Sequence, residues 1–253
     1  MARPRVIVLR APGSNCDEET AFAWEKAGAV AETWHVGRIL ESPEALDQFQ
    51  VLTIPGGFSY GDDLGAGRIF ATRLGIVLDD ALRRLHDRGG LVLGICNGFQ
   101  VLVRAGLLPG GAKRSAATLT FNDSGHFESR WVRLAPTPGL SPFLADGQQI
   151  ELPVAHGEGK FVVADAAAFD EASQVVLRYV DEHGTATQDY PANPNGSPSA
   201  VAGVCDPSGR IFGLMPHPER HIDRLHHPRW TRGGGSDEGD GLRIFRNAVA
   251  NFA

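Results

Sequence analysis

The sequence predicts an α/β fold with a mostly parallel central sheet and additional antiparallel strands, and three observations carry that reading. Short apolar runs at Arg5 to Leu9, Ala31 to His35, Val51 to Ile54 and Leu91 to Leu93 alternate with amphipathic helical stretches, a pattern that gives parallel strands covered on both faces. Several of these runs stop at loops rich in glycine, proline or asparagine, the positions where ligands gather in such sheets. From Ala112 to Asp206 the texture changes to short strand-like runs punctuated by Gly, Pro, Asn and Asp, which adds strands without crossover helices.

Composition bounds the function. The chain has 253 residues, 42% hydrophobic and 21% charged, ordinary globular material read here as a single domain over 1–253. A formal charge of -6 leaves no basic footprint for nucleic acid. No apolar run approaches the roughly 20 residues that span a bilayer, and the opening MARPRVIVLRAPG does not read as a signal peptide, so a cytoplasmic location is expected. Cys16, Cys96 and Cys205 are odd in number and lack metal-ligand spacing, which fits a reducing compartment.

Along the chain, Arg5 to Leu9 is a strand, and Ala11 to Asp17 is a loop opening a helix with Asp17, Glu18 and Glu19 in its first turn and Gly28 at its end. Cys16, in that loop, is read as structural. Ser42 and Pro43 signal a short helix before the strand Val51 to Ile54. That strand breaks into PGGFSYGDDLGAG, where Gly56 and Gly57 allow close approach of the backbone to a ligand. The absence of a Walker lysine and of a Gly-Xaa-Gly-Xaa-Xaa-Gly helix start argues against a nucleotide phosphate site. Arg68 to Arg88 reads as one long helix whose stripe of Phe70, Leu74, Val77, Leu78, Ala81 and Leu85 is core packing, ending at Gly89 and Gly90.

GLVLGICNGFQVL, Gly90 to Leu102, is the most informative stretch. An apolar strand runs straight into a helix at Phe99 to Ala105, closed by Gly106, and Gly94 and Gly98 keep side chains away from the tight turn between them. Such a corner lifts the Cys96 sulfur above the sheet and aims the free N–H groups of the helix start at it. A buried cysteine serving only as a small hydrophobe needs neither glycine.

In FESRWVRL the alternation places Phe127, Ser129 and Trp131 on one face and Glu128 and Arg130 on the other, as a cross-strand ion pair or as contacts to a zwitterionic substrate. HGEGKF at 156–161 and YPANPNGS at 190–197 read as turns, and Cys205 as an inert buried thiol. Arg210 to Met215 is a strand that ends in PHPER. Prolines on both sides of His217 favour an extended segment, in which His217 and Glu219 face one side, as base and orienter of a nucleophile would. A metal reading of His221, His226 and His227 fails on spacing, so no metal site is expected. Gly233 to Gly241 is a linker, and Leu242 to Phe252 a final helix with Leu242, Phe245, Val249 and Phe252 facing the core.

Cysteine on an elbow, a strand-rich middle, and His-Xaa-Glu at a strand end together resemble the class I glutamine amidotransferase domain. GGFSYGDDLGAG, GICNGFQ, HGEGKF, YPANPNGS and MPHPER, with the opening VLRAPGSNCDEE, resemble the branch that serves as the glutaminase part of phosphoribosylformylglycinamidine synthase. The resemblance implies a flavodoxin-like three-layer fold. It also implies hydrolysis of L-glutamine by Cys96 with His217 and Glu219, an oxyanion hole at the N–H groups of Gly57 and Asn97, and substrate contacts from Gly56, Phe58, Gln100 and, more weakly, Arg130. The ammonia would pass to a synthetase subunit, with the need for a small third subunit open. No cofactor is expected in this chain; ATP and Mg belong on the partner. Two rivals stay open at this point: a cysteine peptidase or γ-glutamyl hydrolase using the same three side chains, and a non-enzymatic regulatory subunit.

Overall fold

A computed structural model describes residues 3–77, 79–110, 117–164, 169, 171–233 and 236–253. The strands are β1 Arg5–Arg10, β2 Val30–His35, β3 Val51–Ile54, β4 Leu91–Ile95, β5 Ala117–Thr120, β6 Glu128–Pro136, β7 Ile150–His156, β8 Lys160–Val163, β9 Val175–Val180, β10 Val201–Cys205 and β11 Ile211–Leu214. The helices are α1 Asp17–Lys26, α2 Val36–Glu41, α3 Arg68–Val77, α4 Asp79–Asp87, α5 Asn97–Arg104, α6 Glu171–Gln174 and α7 Asp240–Ala250. Among the described residues no helix is long and apolar enough to cross a membrane.

One sheet of nine strands runs β2-β1-β3-β4-β11-β10-β9-β6-β7. The first five of these pair in parallel, as the alternation of strand and helix predicts. Most of the strand-rich middle joins this sheet. Strands β10, β9, β6 and β7 continue the same sheet in antiparallel pairing, and among the described residues β5 and β8 pair apart from it. The helices fall into two groups, α1 against α7 and α3 against α5, as layers on a central sheet require.

The central strands β3 and β4 are buried at every position, and the core takes in apolar side chains from both halves of the sheet. Beside them, β11 returns from the far end of the chain to pair with β4, Leu214 opposite Ile95. That single pairing brings residue 217 to residue 96, because both strands run the same way and end at the same edge.

Several local expectations change. The helix before β3 begins at Val36, where the His35 ring accepts the Gly37 N–H at 3.1 Å, and Pro43–Gln48 is a 3-10 segment rather than the helix itself. The stretch expected as one helix from Arg68 is described as α3 and α4, and residue 78 between them lies outside the described residues. Phe70, Leu74, Ala81 and Leu85 are buried as the stripe predicts, whereas the side chains of 77 and 78 are not described. In β6, which lies between β7 and β9, the buried face carries Glu128, Val132 and Leu134, and Phe127, just before the strand, is exposed. Helix α7 starts at Asp240, before Leu242: the Asp240 carboxylate accepts the Glu151 N–H at 2.7 Å and the Gly241 N–H donates to the His221 carbonyl at 2.8 Å.

Candidate active site

The elbow forms by steric necessity. Cys96 has φ 50° and ψ −104°, a conformation L-residues adopt only at about 1–3 kcal/mol of strain. A Cβ at Gly98 would sit 1.9 Å from the Ile54 carbonyl oxygen, and one at Gly94 would sit 2.7 Å from that of Gly98. Helix and strand therefore nearly touch, and only glycine fits. Cys96 is the residue before α5, whose N-terminal amides have no acceptor within the helix. Its thiol reaches the Ala155 carbonyl at 3.6 Å.

His217 is buried at the end of β11, and its Nδ1 lies 2.6 Å from Glu219 Oε1. His217 itself is extended, with φ −106° and ψ 92°, as the proline after it predicts, but the segment does not stay extended. Pro218–Arg220 forms a 3-10 turn, which folds the Glu219 carboxylate back onto the ring. Burial pushes the His217 pKa down, but the charges of Glu219 and Cys96, with side-chain contacts from Cys16 and Cys96, hold it well above the ordinary imidazole value. The ring's Nε2 and Glu219 Oε2 are buried with no fully formed hydrogen bond. The Cys16 and Cys96 side chains both lie against the ring.

The loop after β3 completes the floor. A Cβ at Gly56 would meet His217 Cε1 at 2.8 Å and Cys16 Sγ at 3.1 Å. Gly57 has φ 140° and lies in a bridge with Ser14 that is closed by the Phe58 N–H donating to the Gly13 carbonyl at 2.9 Å. The two loops predicted separately, APGSNCDEE and PGGFSYGDD, are thus one paired structure. It is tied to the elbow through Asn97, whose Oδ1 accepts the Ser59 N–H at 3.2 Å and whose Nδ2 donates to Asp62 at 3.2 Å and Gln100 at 2.9 Å. Burial raises the Asp62 pKa against the hydrogen bonds from Gly67 and Asn97.

Gln100, expected at the substrate, donates to the Glu158 carbonyl at 2.8 Å, joining the elbow helix to the HGEGKF turn. Phe58 is half exposed. Arg130 is taken up in its own strand: it meets Glu128 at 2.6 Å and the Tyr190 hydroxyl, with Tyr190 stacked on the guanidinium. The pair runs along β6 rather than across strands.

Asn122 escaped the sequence reading. Its Oδ1 meets His156 Nδ1 at 3.1 Å and accepts the Gly159 N–H at 3.0 Å, while its Nδ2 donates to the His156 carbonyl at 2.8 Å. Burial, then the nearby His217, push the His156 pKa down to about 4. In YPANPNGS the buried Asn193, Asn195 and Ser197 do more than the prolines. Ser197 Oγ accepts the Phe161 N–H at 3.0 Å and Asn195 Nδ2 donates to the Tyr179 hydroxyl at 3.0 Å, locking this turn to HGEGKF and the sheet. Cys205 is buried and its thiol is pushed up to about 12 by burial, an inert group as expected.

Cys16 departs from its structural reading. Its sulfur accepts from Arg220 Nη2 at 3.0 Å and lies against His217, and burial raises its pKa. The only sequence signal for this was its place at the carboxyl end of β1.

Comparison with known proteins places the arrangement among glutamine-using enzymes. Residues 3–252 match the family described as CobB/CobQ-like glutamine amidotransferase domain. The chain is 47% identical over 251 residues to phosphoribosylformylglycinamidine synthase subunit PurQ of Dehalococcoides mccartyi, covering 98% of each chain. It is 40% identical over 267 residues to the subunit of the same name in Methanococcus maripaludis, again covering 98% of each. Among solved structures it is similar to a chain of PurLQS from Thermotoga maritima, with a TM-score of 0.76, 33% identity and full coverage of both chains.

Proposed function

Because the chain belongs to the CobB/CobQ-like glutamine amidotransferase family, and within it to the glutaminase subunits of phosphoribosylformylglycinamidine synthase, we propose that Cys96, His217 and Glu219 hydrolyse L-glutamine here. The observation that carries the assignment of residues is the 2.6 Å contact of His217 with Glu219 beside a strained, helix-capping Cys96.

His217 takes the proton of the Cys96 thiol, and the sulfur attacks the side-chain amide carbon of glutamine. The amide oxygen becomes an oxyanion held by the Asn97 N–H at the helix start and the Gly57 N–H, an effect worth about 3 kcal/mol per donor. The protonated imidazole, its charge stabilised by Glu219, gives its proton to the departing nitrogen, and ammonia leaves a glutamyl thioester. His217 then deprotonates a water that attacks the thioester, releasing glutamate and the thiol. Gly56, Phe58 and Gln100 are the glutamine contacts we assign. Arg130 serves instead to hold Glu128 and Tyr190 together at the rim.

Ammonia is lost to water unless a partner receives it. The chain therefore works with a synthetase subunit, as its likeness to the PurLQS structure supports, with a small third subunit in the assembly. ATP and Mg act on the synthetase, where formylglycinamide ribonucleotide becomes the amidine, and no cofactor resides in this chain. The setting is cytoplasmic. In the assembled complex, Cys96→Ser is expected to abolish synthesis from glutamine and to spare synthesis from added ammonium. Equal loss of both would refute the division of labour.

A further inference from the structure

The loops joined to the elbow expose rings that no catalytic step uses. Phe121 is 70% exposed, Phe127 53% and Tyr190 59%. Phe121 and Phe127 flank a loop whose Asn122 N–H donates to the Gly157 carbonyl at 2.9 Å, and a Cβ on Gly157 would lie 4.0 Å from the Phe127 ring. The turn that holds Gly157 is the one Gln100 ties to the elbow helix through the Glu158 carbonyl. Tyr190 opens YPANPNGS, and its ring stacks on the Arg130 guanidinium at 4.7 Å. Glutamine is a small zwitterion bound by polar groups, so exposed rings with an arginine beneath them fit a different occupant. That composition is concentrated where proteins meet proteins.

The rings are also held in advance. The Asp123 N–H donates to the Asn195 carbonyl at 3.3 Å, and the Asp123 carboxylate meets Lys160 at 2.6 Å. A Cβ on Gly196 would fall 2.0 Å from Asp123 Oδ2, so only glycine lets the two loops approach so closely. With Asn193, Asn195 and Ser197 buried beneath, little freedom is left to lose on binding. We propose that Phe121, Phe127 and Tyr190 form the docking surface for the synthetase subunit, on a platform built by YPANPNGS and Asn122. The choice of partner rests on the glutaminase reading above. Ammonia made at Cys96 is lost to water unless the protein that receives it covers the loops around the site, and these rings stand on those loops. Arg130 acts beneath them, holding Tyr190 in place while Glu128 balances its charge.

The test is the affinity of the full chain for its synthetase, measured by interferometry with the small third subunit present. Phe127→Ala and Tyr190→Ala are each expected to raise Kd at least about tenfold and the double variant at least about a hundredfold, with urea midpoints near wild type. Phe22→Ala and Trp230→Ala, exposed residues outside these loops, should stay within about twofold of wild type. Unchanged affinity in the double variant, an equal loss in the two controls, or no complex with the wild type overturns the surface. Hydrogen exchange of the wild type guards against a misfolded variant: slowing at 121–127 and 188–196 on adding synthetase supports the surface, and its absence overturns it. Glutamine-dependent synthesis by the double variant should fall at low synthetase and recover at saturating synthetase; a loss that saturation does not restore counts against a purely docking role and overturns it. Cys96→Ser should bind as tightly as wild type. A wild type that binds through these rings yet makes no amidine from glutamine supports the surface and refutes the glutaminase reading instead.

Discussion

Replacing Cys96 by glycine should leave a more stable protein than replacing it by alanine, by more than the same pair of changes does at Cys16. Both cysteines precede a helix, both are buried, and both substitutions remove the sulfur. They differ in backbone conformation: Cys16 has φ −111° and ψ 15°, Cys96 φ 50° and ψ −104°. At Cys16 the glycine-alanine difference reflects the cap preference of glycine offset by the greater freedom of its unfolded chain, a net of a few tenths of a kcal/mol. At Cys96 glycine also releases the strain of an L-residue in a left-handed turn, about 1–3 kcal/mol. The difference between the two differences is therefore expected near 1 kcal/mol or above, about 2 °C in melting temperature for a chain of this length. Urea unfolding of the four variants, with the slope m unchanged, measures it. Equal differences at the two positions would refute the claim that the elbow stores strain at its nucleophile.

Three further outcomes follow from the geometry. Glu219→Gln should lower kcat for glutamine by about 100- to 10,000-fold with a much smaller effect on KM, since the lost carboxylate orients and stabilises the charged imidazole; steady-state kinetics of the assembled complex report it. Gly98→Ala places a methyl group 1.9 Å from a backbone oxygen of β3, and should cost upward of about 1–3 kcal/mol in urea unfolding together with glutaminase activity. His156, with a pKa of about 4, stays neutral in the folded state where the unfolded chain takes up a proton, so its contribution is present above pH 6.5 and lost as pH falls toward 4. Wild type should lose about 2 kcal/mol more than His156→Gln between pH 7 and pH 5, and parallel pH profiles in urea would contradict that assignment.

The parallel half of the sheet and the elbow were legible because both are local. Strand period, helix stripe and glycine spacing lie within a dozen residues, and the Gly94 and Gly98 contacts are the physical content of that spacing. The His217–Glu219 partnership was also legible, although only half of its reason holds: His217 is extended as expected, but Pro218 then starts a 3-10 turn that brings Glu219 onto the ring. What could not be read depends on contacts between distant segments. Cys16 meets Arg220 across 204 positions, Asn122 organises a turn that begins at His156, and α7 begins early because Asp240 and Gly241 find partners at Glu151 and His221. In β6 strict alternation was right, and the buried face is the one that carries Val132 and Leu134 and takes Glu128 with them.

Mass spectrometry of the chain, assembled with its synthetase and exposed to a glutamine analogue bearing an electrophilic carbon in place of the side-chain amide, tests the central claim most directly. A single adduct on Cys96, with Cys16 and Cys205 unmodified and labelling much slower in His217→Ala, is the predicted result. Labelling of Cys16 in place of Cys96, or none at all on the assembled complex, would contradict it.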